Sequence, residues 1–111
     1  MEMKHDILDT SAVIALQSNI LGTPSDSKDF ECKIQDLIGE GVTRVILDLS
    51  DVKRINSTGL AILITGFNLL TNSGGKFALA NLNEFIKGAL TITKLNNVFE
   101  YYDSIDEAIA H

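Results

Sequence analysis

The 111-residue chain has no tryptophan, one proline and one cysteine. A single cysteine, Cys32, cannot close an internal disulfide, which fits a reducing compartment. With no histidine near it in sequence, Cys32 reads as a small helix residue rather than a nucleophile. The only histidines are His5 and His111, at the chain ends, where order is generally lowest, and neither is a credible general base. A spaced set of cysteines and histidines for a metal is missing too. Basic residues are in deficit, 9 Lys and Arg against 15 Asp and Glu, for a formal net charge of -6. Such a chain repels phosphate backbones and anionic lipid, so nucleic acid and membranes are poor partners. Met1 is followed by Glu2, Lys4, His5 and Asp6 instead of a basic and then apolar run, so no secretory signal is evident and a cytoplasmic location is expected. The most apolar stretch, 60–70, is interrupted by Thr65, Gly66 and Asn68 and falls short of the ~20 apolar residues of a membrane span.

What is present suits a single domain over 1–111, with 45% apolar and 22% charged residues. Two strands are expected over 6–9 and 11–20, the second ending at Gly22-Thr23-Pro24. Ser25 or Asp26 is placed to cap a helix whose apolar face is Phe30, Ile34, Leu37 and Ile38. The β-branched run 43–49 reads as a strand covered on both faces. A helix over 57–73 follows, then a strand over 76–80, a helix capped by Asn81 or Asn83, a strand over 98–102, and a last helix opened by Ser104 and Glu107 as a capping box. The order ββαβαβαβα predicts an α/β fold: a mixed, largely parallel sheet of four or five strands with helices mainly on one face. Val45, Ile46, Leu47, Leu49, Leu63, Phe67, Phe77 and Leu79 are the expected core. Gly74-Gly75 lies between a helix and a strand, the reverse of the order a phosphate-cradling loop needs.

The most informative stretch is 48–60, D-L-S-D-V-K-R-I-N-S-T-G-L. A buried strand exits, a short loop follows, and a helix starts at Asn56 or Ser57. Asn56 is a good N-cap residue, which puts Ser57 at the positive end of the helix dipole with Thr58 and Gly59 behind it. Phosphate on Ser57 would meet unpaired backbone amides there. On local physics alone, a plain helix cap is the favoured reading of Asn56, Ser57 and Thr58, since polar caps are common.

This segment resembles the signature of the STAS domain family, in particular the bacterial anti-sigma factor antagonists, whose strand ends in D-L-S and whose following helix opens with Asp-Ser-(Ser/Thr)-Gly-Leu. G-G-K-F-A-L-A-N after the long helix and the ending V-F-E-Y-Y-D-S-I-D-E-A-I are similar as well, so the resemblance covers essentially the whole chain. It implies a binding module, not an enzyme, that works by partner switching in transcription regulation. The serine matching Ser57, with Thr58 a weaker candidate, would be phosphorylated by a kinase that doubles as an anti-sigma factor. The unphosphorylated form would bind that kinase and release its sigma factor, and a serine phosphatase would reset the switch. ATP and magnesium would belong to the kinase, leaving this chain with no cofactor of its own. Asn56 departs from the family's usual Asp: it keeps the capping role and loses a carboxylate beside the hydroxyl. The alternative is a STAS scaffold or transporter-associated subunit in which Ser57 is silent.

Independently of that resemblance, no charged residue occurs from Ile55 to Gly75, although a surface helix normally carries charge on its outer face. Opposite Leu60, Leu63 and Phe67 run Thr58, Ile62, Thr65 and Leu69, an uncharged stripe expected either to dock the partner or to pack as a second face within the domain.

Overall fold

A computed structural model of the chain describes residues 2–110; His111, discounted above as a base, lies outside them. The elements run β1 Glu2–Leu8, β2 Ser11–Gln17, β3 Ile20–Leu21, α1 Pro24–Gly39, β4 Arg44–Asp48, β5 Arg54–Ile55, α2 Ser57–Asn72, β6 Lys76–Ala80, α3 Glu84–Ile92, a single 3-10 turn Leu95–Asn97, β7 Glu100–Tyr102 and α4 Ile105–Ala110. Five strands form one sheet in the order β1-β2-β4-β6-β7. β1 is antiparallel to β2, and every other neighbouring pair is parallel. This is the expected mixed, largely parallel α/β fold.

Alternation along the strands sorts the two faces of the sheet. Ala12, Ile14 and Leu16 of β2, Val45 and Leu47 of β4, and Phe77 and Leu79 of β6 share the main core with Phe30, Ile34 and Leu37 of α1. Ile62, Leu63 and Leu70 of α2 and Ile86 and Leu90 of α3 complete it. The opposite face carries only a small cluster, Ile46, Ala80 and Ala108, beneath the short α4. Arg44 fastens that helix by donating to the carbonyls of Ala108 and Ile109 at its C-terminal end, where the dipole favours a cation. Three edge-to-face aromatic pairs link the layers: Phe30–Phe77 at 6.4 Å, Phe77–Phe99 at 6.1 Å and Phe67–Phe99 at 5.7 Å between centroids. Such pairs contribute about 0.5–1.5 kcal/mol each beyond simple burial. Of the expected core, Phe67 alone is only partly buried.

Four boundaries differ from the sequence expectation. The first strand, expected over 6–9, runs over Glu2–Leu8 and pairs with β2 along its whole length, while Asp9, with φ +61°, belongs to the turn. The strand expected over 11–20 breaks at Ser18-Asn19. There the Ser18 hydroxyl donates to the Ile20 carbonyl, and the Asn19 carbonyl accepts from the amides of Lys53 and Arg54. The chain is thereby handed from the large sheet to a second, two-stranded ladder, in which β3 pairs with β5 in parallel. The last strand is shorter than expected, because Leu95–Asn97 turns tightly and Val98 and Phe99 both donate back to the Leu95 carbonyl. Helix α1 is capped by Thr23, not by Ser25 or Asp26, because Pro24 suits the first helical position.

Asp26 instead closes a capping box. Its amide donates to the Thr23 hydroxyl at 3.2 Å, and its carboxylate accepts from the amides of Thr23 at 3.1 Å and Gly22 at 3.4 Å. Burial by itself raises the carboxyl pKa; the Thr23 amide, the Thr23 hydroxyl and the Gly22 amide outweigh it and hold Asp26 below the ordinary carboxylate range. A depressed folded-state pKa stabilises the fold above the unfolded value and loses that contribution as pH falls through the folded one. Asp26→Ala is therefore expected to cost about 1–2 kcal/mol at neutral pH. The gap between its melting temperature and that of the unsubstituted chain should close as pH is lowered below about 4. Melting curves across pH check both the size and the direction.

Candidate functional site

The loop 49–56 gathers the site, and most residues of its motif have a physical task. Asp48, at the end of β4, accepts from the Ser50 amide at 3.0 Å and from Asn81 Nδ2 at 3.0 Å, which ties the exits of β4 and β6 together. Leu49, Val52 and Ile55, three residues apart, are buried beneath the loop. Asn83 caps α3 by accepting from the Ile86 amide, and its Nδ2 donates to the Lys53 carbonyl at 2.9 Å. With the Asn19 carbonyl holding the amides of Lys53 and Arg54, the loop is clamped from both sides.

At the end of this loop, Asn56 is held through its side chain and its own amide. Its Oδ1 accepts from the Gly59 amide at 2.9 Å, its Nδ2 donates to the Gly22 carbonyl at 3.2 Å, and its own amide donates to the Leu21 carbonyl at 3.3 Å. Two glycines make the approach possible. A Cβ on Gly59 would run into the Leu21 carbonyl oxygen, and one on Gly22, whose φ is +147°, into the Asn56 carboxamide. The first turn of α2 thus lies directly against the segment that leads into α1.

Ser57 is the first residue of α2 and is exposed; Thr58 is half-buried and Gly59 buried. Gly59 donates to the Asn56 side chain and Leu60 to the Asn56 carbonyl. Among the described residues, the amides of Ser57 and Thr58 have no partner. An anion on the Ser57 oxygen would therefore meet two unused donors and the positive end of a 16-residue helix. Arg54 lies three residues before Ser57, with its guanidinium 5.8 Å from the centre of the Phe85 ring. Both Phe85 and Ile92, on α3, are exposed. Among the described residues, no group of three or more His, Cys, Asp or Glu could hold a metal. No helix there is long and apolar enough to cross a membrane.

The stripe expected to face outward is not a single surface. Ile62 is 0% exposed and belongs to the main core. Thr58 and Thr65 are half-buried, and Leu69 packs against the core. The reason is that α2 packs against both α1 and the sheet. One turn beyond Ile62, Gly66 lies against Phe30 of α1 and Phe77 of β6; an added Cβ would stand 2.8 Å and 3.0 Å from their rings. The outward face is instead Ser57, Ala61, Ile64 and Asn68, all exposed and all uncharged. Sequence reasoning missed Ile64, Gly22 and the Arg54–Phe85 stack. Ile64 sits at helical spacing from Ser57, a signal available in the sequence; the other two arise from contacts distant in sequence.

Comparison with known proteins places this geometry in context. The family model described as "STAS domain" matches residues 3–108. A Thermotoga maritima protein provisionally named an anti-sigma factor antagonist is 34% identical over 74 residues, 67% of this chain and 66% of that protein, just under two thirds of its length. A crystal structure of a provisionally named anti-sigma factor antagonist from the same organism superposes with a TM-score of 0.82 at 29% identity, covering 97% of this chain and 92% of that one. The anti-sigma factor antagonist SpoIIAA in its unphosphorylated form superposes at 0.79 over 97% of this chain and 93% of its own. At 18% identity that is a likeness of fold alone.

The division of α2 into an inner and an outer face is testable by a pair of substitutions. Ile62→Glu buries an unpaired carboxylate and should collapse the melting transition, since large core disruptions cost about 3–5 kcal/mol or more. Ile64→Glu, on the outer face, should stay within about 0.5 kcal/mol of the parent chain. Thermal and urea denaturation of the two variants distinguishes the faces; equal losses would contradict the assignment.

Proposed function

The chain belongs to the STAS domain family, and on that footing we propose that it is an anti-sigma factor antagonist switched by phosphorylation of Ser57. The single observation carrying this reading is an exposed serine hydroxyl at the first position of a firmly capped helix, beside two unpaired amides and an outer face without charge. In this reading the protein is a cytoplasmic binding module that performs no catalysis and needs no cofactor. Its unphosphorylated form binds an anti-sigma factor that is also a serine kinase, which then releases its sigma factor. The kinase, using its own ATP and magnesium, modifies Ser57, and a serine phosphatase restores the hydroxyl. Half-buried Thr58 is the lesser acceptor.

The energetics separate the effect on folding from the effect on binding. Phosphoserine adds about -1.5 to -2 charges at neutral pH. At the start of α2 the dipole and the free amides both favour that charge, so stability is kept or slightly raised. A partner covering Ser57, Ala61 and Ile64 would instead have to desolvate it, and an uncompensated buried charge costs several kcal/mol. Asn56 strengthens the contrast, because a carboxamide does not repel the phosphate as a carboxylate would. It is also the feature that favours the second reading, a STAS scaffold or transporter-associated subunit in which Ser57 is silent.

Calorimetric titration of both forms against the kinase recovered by co-purification, with melting curves alongside, decides between them. Phosphorylation should weaken binding at least about a hundred-fold, near 2.7 kcal/mol. The melting temperature should stay the same or rise, and Ser57→Ala should bind while accepting no phosphate there. Equal affinities of the two forms would favour the silent scaffold.

A further inference from the structure

We propose that β1 is an interface through which two copies of this chain join their sheets edge to edge, in antiparallel register centred on His5. β1 is an edge strand of seven residues, and except for half-buried Met3 the other six are exposed. It is joined to β2 by the two residues Asp9 and Thr10, with Leu8 opposite Ser11. A two-residue turn closes on a hydrogen-bonded pair, and such pairs alternate along an antiparallel ladder. Leu8, Asp6, Lys4 and Glu2 therefore bond to β2, while Met3, His5 and Ile7 turn their amides and carbonyls to the open edge. That row is a template for another strand.

The charges on β1 select both the partner and the register. Only registers that set Met3, His5 and Ile7 against one another satisfy the outward groups. Centred on His5, the pairing spans all seven residues, sets Met3 against Ile7 of the second copy, and sets Lys4 against Asp6 of the second copy twice over. Those ion pairs fall at the non-hydrogen-bonded positions, where side chains are closest. Shifted so that Lys4 is central, Lys4 meets its own copy and Glu2 meets Asp6; shifted the other way, Asp6 meets itself. Within one copy, Lys4 and Asp6 face Ala15 and Val13, and neither is in an ion pair among the described residues. Charges that served only to blunt the edge would not need opposite signs two residues apart. The pairing also covers Ile7, 45% exposed in the single chain. Seven paired residues make less than a standard interface, so the association is weak and concentration-dependent.

Sedimentation equilibrium at low salt tests this without any kinase or phosphate, and so independently of the Ser57 reading. From about 10 μM to about 1 mM, the unsubstituted chain should move toward twice the monomer mass. Lys4→Asp and Asp6→Lys should each weaken self-association at least about tenfold, by setting like charges opposite. An equimolar mixture of the two single variants should associate again, because each supplies the charge the other needs, and the doubly substituted chain should behave like the parent. Circular dichroism and melting curves check that each variant is folded. A parent chain that stays monomeric throughout, single variants that associate as strongly as the parent, or a mixture that fails to associate would overturn the proposal.

Discussion

The candidate site depends on one close approach, that of the first turn of α2 to the backbone at Leu21–Gly22. Side-chain-free positions on both sides permit it, Gly59 on the helix and Gly22 on the facing segment, and Asn56 fills the gap between them with two hydrogen bonds. The two-residue ladder of β3 and β5 holds the backbones in register just before the contact. Because Gly22 leads directly into the Thr23 cap of α1, the starts of the two long helices are tied together. Burial of Phe30, Ile62 and Leu63 behind them keeps the helices side by side.

A helix cap needs only an acceptor, which Asn and Asp both supply. The bond to the Gly22 carbonyl needs a donor, which only the carboxamide has. Asparagine here trades a negative charge beside Ser57 for a tether to the neighbouring segment. The cap uses the Gly59 amide and leaves those of Ser57 and Thr58 open, so the helix start is ordered by one set of groups and offers another set to an anion. Under the proposed switch, this separation lets a modification change what the surface will bind without changing the fold.

Much of this was legible in the sequence, for local reasons. The alternation of strands and helices, the apolar run that became β4, the turn at Gly74-Gly75 and the cap at Asn56 all rest on interactions within a few residues, which composition and spacing reveal. Family membership was legible in the 48–60 motif. What stayed hidden depends on which elements meet. In a helix without charge from end to end, the apolar pattern cannot say which of two faces is outer, and the wide face that α2 buries against α1 and the sheet claimed Ile62. The β3–β5 ladder consists of two residues on each side and leaves no periodicity to read. At α1, Ser25 and Asp26 look like caps in sequence, but the cap is Thr23, two or three residues earlier; Asp26 is the other half of its capping box, and the proline that marks the turn also opens the helix.

Under the proposed switch, phosphate on Ser57 settles onto an already ordered helix start. Amide chemical shifts and hydrogen exchange, compared between the unmodified and the phosphorylated chain, report on that helix start residue by residue. The Ser57 and Thr58 amides should move downfield as they acquire a charged acceptor, while the Gly59 amide should keep its protection because Asn56 still holds it. Loss of protection at Gly59, spreading into the first turn of α2, would show that the phosphate displaces the cap, and would contradict a switch that leaves the helix start in place.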